Sequence, residues 1–172
     1  MAIAGALLTF TLFFTGYHDS IEKMQSGFGQ TVAVVVPLLI AVVCLALAMR
    51  EKRSNTPADQ AWGYGSAFFV GVLTALFGAL FSAIFAYVYF KFLNPGMAEV
   101  MFDMQVAKME QQGLSSQQIE GAEKVMRVML SPAAMTLFQT FSGFIITVVI
   151  ALVVAIFFKR RTTLAAEAPP VL

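Results

Sequence analysis

The stretch Ala61–Phe90 reads AWGYGSAFFVGVLTALFGALFSAIFAYVYF and contains no Asp, Glu, Lys, Arg or His. As a helix, Trp62–Phe90 would be about 43 Å long at 1.5 Å per residue. That exceeds the roughly 30 Å of a bilayer's hydrocarbon core. Trp62 and Tyr64 at one end and Tyr87 and Tyr89 at the other stand where interfacial aromatic belts stand. Working outward, Met1–Tyr17, Gly27–Met49 and Ser131–Phe158 are equally free of ionisable residues. The pattern predicts an all-α, polytopic membrane protein with spans at about 1–17, 28–49, 62–90 and 133–158. Composition agrees: 59% of the 172 residues are hydrophobic and 12% charged, against about 45–50% and 25% in soluble domains. Mean hydropathy is +0.78.

The first run has no basic n-region and no small-x-small site before Tyr17-His18-Asp19, so it reads as a retained helix and not a cleaved signal. It barely spans, which leaves a true start upstream of Met1 as an open reading. Pro37 falls near the middle of the second span and predicts a kink there. The loop Arg50–Ala61 is charged and carries the turn signal Ser54-Asn55-Thr56-Pro57. Asn94-Pro95-Gly96 breaks the chain after the third span.

The connection that follows is the one sizeable extramembrane piece, and it reads as an amphipathic helical hairpin over 97–131. Its first arm places Ala98, Phe102, Val106 and Met109 on one face, and its second repeats Ile119, Ala122, Met126 and Met129. Gly113 suits the position that ends a helix, and Ser115 with Gln118 has the form of a capping box. After the fourth span, Lys159-Arg160-Arg161 stops the helix, and 162–172 is expected to be a disordered cytoplasmic tail. The whole of 1–161 is then one four-helix transmembrane domain, arranged as two hairpins.

Arg50, Lys52 and Arg53, with Lys159, Arg160 and Arg161, form tight clusters abutting span ends. The positive-inside rule acts most strongly on such clusters, which puts both termini in the cytoplasm and the hairpin outside. Eleven basic residues against ten acidic ones leave no footprint for nucleic acid. The single cysteine, Cys44, lies inside a span and reads as a packing residue.

Candidate chemistry is sparse. Proton relays and ion-coupled pumps normally place an ionisable residue within a span, and no nucleophile–base pair or metal set stands out, so a non-enzymatic protein without cofactor is expected. Thr9, Thr11, Ser66, Thr74, Ser82 and Thr147 can bond to their own helix backbones. His18, Asp19 and Glu22 are a weak metal set, and His18 reads better as a polar end to the first span. Met97, Met101, Met104, Met109, Met126 and Met129 concentrate in the hairpin. Thioethers suit Cu(I), but methionine also fills irregular gaps and partner surfaces, and the partner-surface reading is preferred. Small residues recur at helical spacing, with Gly71, Ala75 and Ala79 in the third span and Gly143, Thr147 and Ala151 in the fourth. Such stripes let helices approach closely in lipid, and Gly71/Ala75 are expected to cross Gly143/Thr147.

Taken together, the basic loop after the second span, the aromatic run into Asn94-Pro95-Gly96, Lys108-Met109-Glu110, the Gly113-Leu114-Ser115 turn and Ser131-Pro132 before the last span resemble the uncharacterised bacterial membrane family DUF4199. The resemblance covers nearly the whole chain. It implies a protein of the bacterial cytoplasmic (inner) membrane and supplies no activity, cofactor or functional residue. The leading functional reading is an accessory or packing subunit of an envelope membrane complex, with the bilayer and other membrane subunits or further copies of itself as partners. A small transporter or channel made by oligomerisation, and an extracytoplasmic Cu(I)-handling protein, are the alternatives. Against transport, the two hairpins share one orientation, so the inverted repeat of secondary transporters is missing.

Overall fold

A computed structural model of the chain describes residues 1–19, 23, 27–57 and 59–159. The expectations for Glu22, for Arg160 and Arg161, and for the tail at 162–172 lie outside the described residues. Among the described residues the protein is all-α, with six α-helices: α1 (Ala2–Phe14), α2 (Gly27–Ser54), α3 (Tyr64–Val88), α4 (Met97–Gln111), α5 (Ser116–Met129) and α6 (Pro132–Phe158). One turn of π-helix, Tyr89–Leu93, continues α3.

Three helices are long and apolar enough to cross a membrane: residues 29–54 of α2, α3 with its π turn, and α6. The first apolar run is shorter than its composition suggests. α1 has 13 residues, about 20 Å, because Gly16 takes φ +69° and turns the chain into a 3-10 turn at Tyr17–Asp19. Met1 packs against Gly78, where a Cβ would lie 3.2 Å from its sulfur. At the other end, the ring of Phe13 meets that of Tyr89 edge-on. α1 therefore runs parallel to α3 and covers only the stretch from Gly78 to Tyr89.

α2 continues beyond Met49, through the cluster Arg50–Arg53, to Ser54, and stays helical through Pro37. Lysine and arginine complement the dipole of its last turn. α6 starts at Pro132, whose fixed φ and missing N–H suit a first helical position. Ser131 caps it by accepting from the Ala134 N–H at 3.4 Å.

α3 and α6 pack against each other more extensively than any other pair, with α2 beside both. Small residues are buried along both helices, Ala67, Gly71 and Ala75 on α3 and Thr147, Ala151 and Ala155 on α6. A Cβ at Gly71 would stand 2.7 Å from both Ala151 Cβ and Met49 Cε, so three helices meet at that point. Leu45, Met49, Trp62, Ala67, Ala151, Val154 and Ala155 form one buried cluster at the end carrying Arg50–Arg53. Trp62 Nε1–H donates to the Phe158 carbonyl at 2.9 Å, satisfying an acceptor that the end of α6 leaves open. The bundle is thus tight at its basic end.

It loosens towards the other end, and this corrects the expected crossing. Gly143 is exposed, and nothing lies within 4 Å of a Cβ built there. Gly71 instead meets Ala151, two helical turns further along α6. Ala79 is only half-buried.

α4 and α5 are joined at Gly113 (φ +75°), a conformation that side-chain-bearing residues rarely adopt. Ser115 and Gln118 form a complete capping box. Arg127 lies 4.4 Å over the Phe102 ring and 3.7 Å from Glu99, tying the arms together.

Candidate functional site

Where the helices separate they leave a cavity of about 630 Å³. Its walls come from all six helices: Gly5 and Thr9 of α1, Ala33 and Pro37 of α2, Ser82 and Phe85 of α3, Met97 and Met101 of α4, Met129 of α5, and Met135 and Gln139 of α6. Pockets that enclose small ligands span roughly 300–1,000 Å³ and are mostly apolar with a few convergent polar groups. Lining the cavity, His18 and Tyr89 are the residues with ionisable side chains.

At the edge of the cavity the π turn brings three polar side chains together. Asn94 Nδ2 donates to Tyr89 Oη at 2.9 Å, and Tyr89 Oη lies 2.5 Å from His18 Nδ1. Tyr89 is buried, and its ring packs edge-on against His18. The π turn makes this possible: its wider i→i+5 closure, with the Asn94 N–H bonded to the Tyr89 carbonyl at 2.8 Å, places Asn94 beside the phenol of Tyr89. His18 therefore does end the first apolar segment as a polar group, held by the third span.

The structure divides the hairpin methionines. Met97, Met101 and Met129 line the cavity, while Met104, Met109 and Met126 are half-buried elsewhere in the hairpin. Outward-facing apolar surface on α5 comes instead from Val125 and Val128, 60% and 70% exposed. Among the small-residue positions, Gly71, Ala75, Thr147 and Ala151 meet in the tight end.

The hydroxyls also divide. Thr9, Thr11, Thr74 and Thr147 bond to backbone carbonyls four residues back, at 2.7–3.1 Å. Ser66 and Ser82 make no hydrogen bond among the described residues. Ser82, expected to bond its own helix backbone, lines the cavity instead, and Gln139 is a site residue that sequence reasoning missed. A search for ionisable groups passes over Gln139; a search for any amide within an apolar run finds it.

A model of the family described as "Protein of unknown function (DUF4199)" matches residues 1–160. The chain belongs to the DUF4199 family. No curated protein and no solved structure matches it.

Proposed function

We propose that this DUF4199 protein is a non-enzymatic protein of the bacterial cytoplasmic membrane that serves as an accessory subunit, packing beside other membrane subunits or further copies of itself. In this reading α1 is a fourth transmembrane segment, both termini face the cytoplasm, and α4–α5 lie outside. One observation carries it: the cavity is a dead end. Towards the basic end, Leu45, Met49, Ala67, Ala151, Val154 and Ala155 fill the space between the helices, leaving no route through the bundle for a transported solute. No Asp, Glu, Lys, Arg or His lies in 27–49, 64–90 or 132–158 to couple transport to an ion. The large apolar side chains of α3 and α6, including Phe77, Phe81, Phe141 and Val149, face outward over a wide area.

Photo-cross-linking in native membranes tests the accessory role. A benzophenone amino acid placed at Phe141 or Val149 should yield one protein adduct of reproducible mass, absent when the group is placed in the buried seam at Ala151. Adducts to lipid alone at all outward positions would overturn a subunit role.

A further inference from the structure

Contact at Gly71 gives the three long helices a common register, since Gly71, Ala151 and Met49 meet there. Counting from it towards the cavity, Ser82 is eleven residues along α3, Gln139 twelve along α6 and Pro37 twelve along α2. These counts place all three about 17–18 Å from the Gly71 contact, in one layer. Pro37 has no N–H, so the carbonyl of Ala33, four residues back, lacks its helical donor. Ala33, Pro37, Ser82 and Gln139 all line the cavity. Neither Ser82 nor Gln139 has a hydrogen-bond partner among the described residues. Ser82 is half-buried, and Ala33, Pro37 and Gln139 are exposed, so three helices present uncharged polar groups along the open side of the cavity.

We propose that the cavity binds a neutral, largely apolar alcohol, with its hydroxyl held by Ser82, Gln139 and the Ala33 carbonyl. Donor and acceptor requirements select the hydroxyl. The amide of Gln139 offers two donors and an acceptor, Ser82 one donor and acceptor capacity, and Ala33 only an acceptor. A ligand group must therefore both donate and accept. A carboxylate or a fully ionised phosphate only accepts, and no Lys or Arg lines the cavity to meet its charge. A quinone or ester carbonyl also only accepts and leaves Ala33 unmatched. Met97, Met101, Met129 and Met135 surround the apolar part, and their unbranched, polarisable side chains adapt to varied hydrocarbon shapes. Binding rests on the closed basic end that underlies the non-transporting reading, and needs no partner subunit.

The test uses the purified full chain in nanodiscs of phosphatidylethanolamine and phosphatidylglycerol. Three photoreactive probes share one diazirine-bearing farnesyl chain and end in a hydroxyl, a methyl ether or a monophosphate. The alcohol should label saturably, with adducts on cavity residues such as Phe85, Met101 or Phe138, and be displaced by plain farnesol. The ether and the phosphate should bind at least about tenfold more weakly, the loss expected when polar partners are left unpaired. Ser82→Ala and Gln139→Leu should each weaken alcohol binding about three- to tenfold. Pro37→Ala restores a donor to the Ala33 carbonyl and should shrink the difference between alcohol and ether. Ala86→Trp should fill the cavity and abolish labelling, and unchanged melting of Gln139→Leu would show that lost binding is not lost folding. Labelling without a plateau, or a plateau insensitive to Ser82→Ala and Gln139→Leu, would overturn the site. Equal binding of alcohol and ether would also overturn it, leaving water as the occupant of the polar layer. Absence of a protein adduct at Phe141 would touch the subunit role alone.

Discussion

Gly71 and Gly143 look interchangeable as text, each a glycine heading a run of small residues, yet a methyl group would be received very differently at the two. At Gly71 the new Cβ would fall 2.7 Å from Ala151 Cβ and Met49 Cε. The methionine end can swing aside, but Ala151 Cβ is fixed to the α6 backbone, so the helices must separate. Gly71→Ala should therefore destabilise the protein by about 1–3 kcal/mol, the usual cost of overpacking, seen as a lower melting temperature in detergent. Gly143→Ala meets open space and should leave melting unchanged or slightly raised. Equal effects at the two positions would mean that α3 and α6 do not cross as described. Trp62→Phe tests the same end of the bundle. It removes the donor to the Phe158 carbonyl and should cost on the order of 1 kcal/mol, with little effect on the cavity.

Among the helices, the α4–α5 hairpin depends most on local signals. Ser115 accepts from the Gln118 N–H at 3.4 Å while the Gln118 side chain accepts from the Ser115 N–H at 2.9 Å. Ser115→Ala removes the hydroxyl half of that exchange and should destabilise α5 by about 0.5–2 kcal/mol. Faster amide hydrogen exchange confined to residues 116–120 would report it, with the three long helices unaffected. By contrast, Glu99→Gln should change little, because the Glu99–Arg127 pair is largely exposed and such pairs contribute about 0–1 kcal/mol. These signals were legible in the sequence because caps, turns and breakers are decided by neighbouring residues: Gly113, Ser115–Gln118, Ser131-Pro132 and Asn94-Pro95-Gly96 all act where they stand. Side-chain direction was not legible. Lipid and protein interior are equally apolar, so helix periodicity in a span does not separate the buried Ala151 from the exposed Gly143. The length of α1 was also hidden, since Thr15 and Gly16 differ little from their neighbours in polarity and only the left-handed turn at Gly16 ends the helix. The cavity could not be read because its walls come from six helices, and no single span encodes how they meet.

For the molecule as a whole, packing and charge point along the same axis. The filled end of the bundle carries Arg50, Lys52, Arg53 and Lys159, and the cavity end carries His18, Tyr89, Asn94 and the hairpin. If the basic end is cytoplasmic, the cavity opens within the outer half of the bilayer, and an apolar ligand would reach it sideways from the outer leaflet. If the orientation were reversed, the hairpin and cavity would serve the cytoplasmic leaflet and the whole functional reading would change sides. Single cysteines at Ser54 and Ser116, in a Cys44→Ser background, decide between these cases. Ser54 ends α2 at the basic end, and Ser116 opens α5 at the far end; both are exposed, so labelling reports position and not burial. A membrane-impermeant maleimide added to intact cells should modify residue 116 and spare residue 54, with residue 54 reacting only after the membrane is permeabilised. Labelling of residue 54 in intact cells, with residue 116 protected, would invert the protein. The positive-inside argument weights Lys and Arg close to the span ends. Replacing Arg50, Lys52 and Arg53 together with Gln should then weaken the preference and give a mixed labelling pattern, while Lys108→Gln, far from a span end, should leave it unchanged.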